Sequence, residues 1–245
     1  MASERRPAPA GFLADLVFPG RCLGCGEWLL GCWLPQEGLA LPVCRRCLST
    51  LPSFHEPRCE RCGVELISEK ATCLRCRSVE SRFHSHRSLF PYTGMAKCLL
   101  QALKFGRRRR LAPFFGYRAA RELEQFMPAG ETGIVVVPVP PRPGRREPDA
   151  VELAASGLAS RHGLPVSRLL LRTVATPQKS LSYEQRTANL KGGIRVDPRF
   201  ARAVPPRVVL LDDVFTTGAT IDACAQALRE AGCARVDALT FVMEE

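Results

Sequence analysis

Thirteen consecutive residues constrain this chain more than any others: Val208 to Thr220, reading VVLLDDVFTTGAT. The apolar run from Arg207 to Leu211 predicts a strand buried on both faces. Two carboxylates, Asp212 and Asp213, follow directly, and a short loop of hydroxyls and one glycine then opens a helix expected over Ala219 to Ala231. Each part has a physical use. A helix N-terminus offers unpaired backbone N–H groups at a positive dipole end, a combination that attracts a phosphate. Gly218 allows the backbone to approach an anion closely with positive φ. Thr216, Thr217 and Thr220 add hydroxyl donors, and one of them is suited to cap the helix. The carboxylates, placed where open α/β sheets bind ligands, suit the hydroxyls of a sugar. The alternative is an ordinary turn after two solvated acids.

The surrounding sequence fits a layered α/β domain. Helical patterns are expected over Met95 to Phe105, Leu111 to Phe126 and Ala150 to His162, the last stopped by Gly163 and Pro165. The short β-branched run Ile134 to Val137 predicts another buried strand, and Val236 to Val242 a final one. In the final helix, Ile221, Cys224, Leu228 and Ala231 share one face, and Gly232 stands where a C-terminal cap belongs. Strand, helix, strand in this order implies parallel pairing.

The N-terminal part has a different character. Of 12 cysteines, nine fall between Cys22 and Cys76, and only Cys98, Cys224 and Cys233 lie beyond. This asymmetry divides the chain near residue 80, with a cysteine-rich module over 1–80 and an α/β domain over 81–245. Eight of the nine form C-x2-C pairs: Cys22/Cys25, Cys44/Cys47, Cys59/Cys62 and Cys73/Cys76. Both thiolates of such a pair reach one tetrahedral ion, and two pairs complete a saturated four-thiolate site. The expectation is two structural Zn²⁺ ions, with Gly26 and Gly63 making the tight turn of each knuckle. Spacing favours first pair with second and third with fourth, and leaves an interleaved arrangement open. Four cysteines also suit an iron–sulfur cluster. Cys32, His55, His84 and His86 are then surplus to the metal, and Cys98 and Cys224 sit on apolar helix faces as core residues.

Lys and Arg outnumber Asp and Glu by 35 to 24, a net charge of +11, which favours anionic partners. The basic runs KFGRRRR (Lys104 to Arg110) and RPGRR (Arg142 to Arg146) allow a single-stranded DNA contact. No apolar run is long enough to cross a bilayer. Asp15 interrupts the short apolar stretch near the N-terminus, so an export leader is not expected there and the cysteines are expected in the cytoplasm.

Val208 to Thr220 resembles the signature of type I phosphoribosyltransferases. Thr176 to Ile194 (TPQKSLSYEQRTANLKGGI) and Val135 to Pro140 (VVVPVP) resemble two further segments of the ComF/GntX family, which joins that domain to an N-terminal cysteine module. The resemblance implies a type I phosphoribosyltransferase fold, a central mostly parallel sheet flanked by helices, preceded by a double zinc ribbon. It implies binding of 5-phosphoribosyl-1-pyrophosphate with Mg²⁺. Asp212 and Asp213 would hold the ribose hydroxyls, and Thr216, Thr217, Gly218, Ala219 and Thr220 the 5′-phosphate. Lys104, Gln178 and Asn189 would face the ligand, and Arg186 would act with the two acids in catalysis. Unaided, the polar groups of Thr176 to Ile194 suit a closing hood over a pyrophosphate, or a solvated loop. The family's link to competence raises DNA or the DNA-uptake machinery as partners. One departure stands out: where the family carries an R-G-[FY]-[ND]-Q-like stretch, this chain reads RREPDAVEL (Arg145 to Leu153), with Asp149 at the Asn/Asp position.

Overall fold

Largely apolar runs build the centre of the molecule, a four-stranded sheet in which every strand is parallel to its neighbours. The computed structural model describes residues 20–29, 32–34, 39–67, 70–106, 108–126, 133–142, 149–173 and 193–244. In chain order the strands are β1 Cys32–Leu34, β2 Leu39–Leu41, β3 Ser85–Pro91, β4 Ile134–Pro138, β5 Leu170–Arg172, β6 Ile194–Val196, β7 Arg207–Phe215 and β8 Arg235–Met243. The α-helices are α1 Arg45–Leu48, α2 Leu74–Ser78, α3 Gly94–Lys104, α4 Ala112–Phe126, α5 Ala150–His162 and α6 Ala219–Glu230. The central sheet has the order β3-β8-β7-β4, while β1-β2 and β5-β6 are separate antiparallel pairs.

Period-two alternation divides the central strands between two cores. Val209 and Leu211 of β7 face one apolar cluster together with Val136, Leu239 and residues of α3, α4 and α5. Val208 and Leu210 face the other, with Val137, Val236, Ala238 and the buried side of α6. Both faces are dry, as the uninterrupted apolar strands require.

The expected helix at 150–162 is found at those limits, opened by a capping box in which Asp149 accepts from the Val151 and Glu152 amides. Gly163 follows it in the left-handed conformation. Two differences from the sequence expectation matter. The strand expected to stop at Leu211 runs on to Phe215, because β8 continues alongside it, pairing Asp212 with Thr240 and Phe215 with Met243. The acidic pair therefore lies within the strand. The edge strand β3 was not foreseen, since its polar residues His86 and Ser88 break the apolar pattern yet are buried.

The change of composition near residue 80 is not a packing boundary. Cys22, Leu29, Leu41, Val43 and Cys47 belong to the core of α3 and α4. Cys59 and Cys62 belong to the core of α6 on the opposite face. Each half of the cysteine-rich module thus covers a different face of one sheet. The second half also covers the sheet's edge, where the His86 amide of β3 donates to the Arg61 carbonyl at 2.7 Å. No helix among the described residues is long and apolar enough to cross a membrane.

Candidate functional site

β7 carries the acidic pair to one wall of a cleft of about 390 Å³. Thr216, Thr217, Ala219 and Thr220 continue that wall, and Lys104, Arg142 and Arg172 bring positive charge to the same space. The loop bends where the sequence allows. Gly218 sits at φ +73° as the N-cap of α6 and supplies no side-chain cap. Thr217 Oγ1 approaches the Ala219 amide at 3.5 Å, the one loose cap at this helix start. A Cβ on Gly218 would lie 2.8 Å from Cζ of Phe215, so glycine is required both for its φ and for space.

The two acids are not equivalent. Lys104 Nζ lies 2.6 Å from Asp213 Oδ2, both side chains being 17% exposed. Asp212 Oδ1 accepts from the Asp213 amide at 2.8 Å. Burial, and then the neighbouring Asp213 charge, push the Asp212 carboxyl up to about 7, with Lys104 and Arg172 opposing. One carboxylate is therefore paired with a cation, while the other holds its proton to a far higher pH than an ordinary aspartate.

Of the residues singled out in the sequence, Lys104, Asp212, Asp213, Thr216, Thr217, Ala219 and Thr220 line this one cleft, and Gly218 lies in the same loop. Gln178, Arg186 and Asn189, with most of the Thr176 to Ile194 segment, lie outside the described residues, as does Arg145. Asp149 lines the cleft while capping α5. Arg142, read in the sequence as part of a nucleic-acid run, lines the cleft as well. Arg172 was missed: it closes the three-residue strand β5, and nothing in LLLRT marks it before the hairpin with β6 places it.

The cysteines form two clusters, Cys22/Cys25/Cys44/Cys47 and Cys59/Cys62/Cys73/Cys76, with the ligand atoms of each within 4.8 Å of one another. First pair joins second and third joins fourth, so the interleaved arrangement does not occur. Cys25 and Cys44 Sγ are 3.8 Å apart, and Cys62 and Cys73 Sγ are 3.7 Å apart. A tetrahedral ion with Zn–S bonds of about 2.3 Å requires sulfurs about 3.8 Å apart, so both clusters fit one zinc each. Backbone amides support the thiolates in the same way in both. The Cys44 amide reaches Cys22 Sγ at 3.3 Å, and the Cys73 amide reaches Cys59 Sγ at 3.4 Å. Gly26 and Gly63 both stand at φ +75° and donate to the Cys22 and Cys59 carbonyls at 2.9 Å.

The surplus histidines are not part of either cluster. His86 is fully buried, its Nδ1 donating to the Cys62 carbonyl at 2.8 Å and its Nε2 3.0 Å from Thr240 Oγ1. Burial lowers its pKa to about 3, so it is neutral. Cys224 is buried under α6, and Cys98 Sγ donates to the Leu23 carbonyl at 3.3 Å.

Comparison with known proteins agrees with the metal sites. Residues 13–77 match the model of a double zinc ribbon domain. The competence protein ComFC of Streptococcus pneumoniae is 27% identical over 91% of this chain and 99% of its own length. The DNA utilization protein YhgH of Salmonella typhimurium is 30% identical over 84% of this chain and 93% of its own. The chain belongs to the ComF family. Another relative, competence protein F of Haemophilus influenzae, is 27% identical over 88% of this chain. This ComF chain combines two zinc-ribbon sites with a parallel sheet flanked by helices, in which strand, acidic pair, loop and helix N-terminus follow one another. A solved structure, the glutamine phosphoribosylpyrophosphate amidotransferase of B. subtilis, is 21% identical over 58% of this chain and 30% of its own length, with a TM-score of 0.39.

Proposed function

We propose that this ComF-family chain binds 5-phosphoribosyl-1-pyrophosphate with Mg²⁺ and transfers its pentosyl group to an acceptor, releasing pyrophosphate. The observation that carries the reading is one cleft in which the Asp212/Asp213 pair, the 216–220 loop and the cations Lys104, Arg142 and Arg172 converge. Asp212 and Asp213 accept hydrogen bonds from the ribose 2′- and 3′-hydroxyls. The loop hydroxyls and the start of α6 hold the 5′-phosphate. The three cations oppose the pyrophosphate, and Arg186, Gln178 and Asn189 act on the ligand as the family resemblance implies. Mg²⁺ enters with the ligand and neutralises charge on the leaving group. The protein's part is positioning and charge stabilisation at C1.

Calorimetry on Asp212→Asn with Asp213→Asn tests the binding step. Loss of charge-assisted hydrogen bonds predicts affinity reduced at least 100-fold, about 3 kcal/mol, with the fold intact. Unchanged affinity would remove the assignment. Pyrophosphate release in the presence of candidate bases separates a transferase from a sensor that binds without turnover.

A second reading has its own support. Phe105 is 74% exposed and lies between Lys104 and the exposed Arg108, Arg109 and Arg110, an aromatic platform beside concentrated charge. With relatives named as competence and DNA utilization proteins, this favours a cytosolic role in handling incoming single-stranded DNA. Retention on single-stranded DNA should fall steeply with salt and be weakened by Phe105→Ala. Salt-independent retention would count against it.

A further inference from the structure

The second zinc ribbon touches the loop that the proposed function assigns to the 5′-phosphate. Arg75 lies in α2 between the ligands Cys73 and Cys76, and its Nη2 donates to the Thr217 carbonyl. Thr217 walls both the cleft and a smaller cavity on the ribbon side, which Arg75, Cys62, Cys76 and Phe215 also line. Arg75 is not among the residues lining the cleft, so it reaches the loop from behind.

A second line of contacts arrives at the next residue. The Cys62 carbonyl holds the His86 ring, which stacks on Phe215 with centroids 3.9 Å apart and planes at 18°. The Phe215 ring in turn fills the space against Gly218. Beyond the loop, the Arg82 amide donates to Asp222 Oδ1 at 2.5 Å, in the first turn of α6.

These contacts fix a direction. In a trans peptide the C=O and the following N–H point opposite ways. Holding the Thr217 carbonyl toward the ribbon therefore aims the Gly218 N–H away from the ribbon. The first ribbon, packed on the other face of the sheet with α3, makes no such contact among the described residues. A five-residue helix has no stability of its own, so metal on the bracketing cysteines would hold α2, and Arg75 with it, in place.

We propose that the second zinc ribbon is a positioning device for the phosphate loop, with Arg75 its acting residue, so that metal at Cys59/Cys62/Cys73/Cys76 sets the loop's affinity for a sugar phosphate. This rests on the phosphoribosyl reading of the cleft. The counterpart of Arg75 in the first ribbon is Arg46, also exposed and also one residue before a ligand cysteine, which supplies an internal control.

The test uses the zinc-loaded full chain and the variants Arg75→Ala and Arg46→Ala, with zinc content measured for each. Hydrogen exchange of the peptide spanning Phe215 to Ile221 is followed without ligand, and affinities are measured for ribose 5-phosphate and for pyrophosphate. Arg75→Ala should speed exchange of the loop and weaken ribose 5-phosphate about tenfold, the worth of one charged hydrogen bond. Zinc content and pyrophosphate affinity should stay unchanged, and Arg46→Ala should behave as wild type. Unchanged loop exchange in Arg75→Ala, or an equal loss in Arg46→Ala or toward pyrophosphate, would overturn the proposal. If the wild type takes no ribose 5-phosphate, the phosphoribosyl reading fails, while the exchange comparison still decides whether Arg75 orders the loop.

Discussion

Replacing Gly218 by alanine separates two costs that the structure places at one residue. The backbone there is left-handed, at φ +73° and ψ 0°, which charges any residue with a Cβ about 1 kcal/mol. The new methyl would also lie 2.8 Å from Phe215 Cζ. That ring cannot retreat easily, because it is stacked on the buried His86. Overpacking of this kind costs about 1–3 kcal/mol, so the total is about 2–4 kcal/mol. For a chain of this size that corresponds to a Tm lowered by roughly 10 °C. Gly163 isolates the first cost: it has φ +65° and ψ 18°, and its added Cβ would meet nothing within 4 Å. Gly163→Ala should therefore lose only about 1 kcal/mol. Thermal melts of both variants, read with calorimetric titration of ribose 5-phosphate, make the comparison. Gly218→Ala should lose more stability than Gly163→Ala and should also lose ligand. Equal melting losses would refute the packing of Phe215 against the loop.

Because the two ribbons cover opposite faces of one sheet, stripping zinc with a strong chelator should destabilise the α/β part together with residues 20–80. Metal analysis should first give two zinc ions per chain, and proteolysis after chelation should find no resistant fragment beginning near residue 80. Survival of such a fragment would support two independently folding domains. Ribose hydroxyls favour ionised Asp212, whose pKa is raised to about 7. Affinity should therefore rise by about tenfold from pH 6 to pH 8 on this account, and Asp212→Asn should lose that component. The same raised pKa means that Asp212 favours the ligand-free fold most below about pH 4, and that this contribution is lost as pH climbs to 7. Lys104→Met removes the cation 2.6 Å from Asp213, so the pH midpoint of ligand binding should move upward. A midpoint unchanged by Lys104→Met would show that this cation does not tune the acidic pair.

The sequence by itself determined what is local. Val208 to Thr220 holds strand, acids, loop and helix start within one contiguous stretch, so neighbours along the chain are neighbours in the site. The C-x2-C pairs were legible for the same reason, since two residues of spacer decide whether two thiolates reach one ion. The strand's true end at Phe215 was not legible, because its last residues are held by β8 and not by their own pattern. Nor was β3, whose buried His86 and Ser88 are paid for by Thr240 and Cys62, residues distant in the chain. The place of Arg172 in the cleft, the assignment of each ribbon to its own face of the sheet and the reach of Arg75 to Thr217 were decided by tertiary structure alone. Arg75 and Thr217 are separated by 142 positions in the sequence. No periodicity or spacing carries information across such a gap, and only the packing of the whole chain brings them into contact.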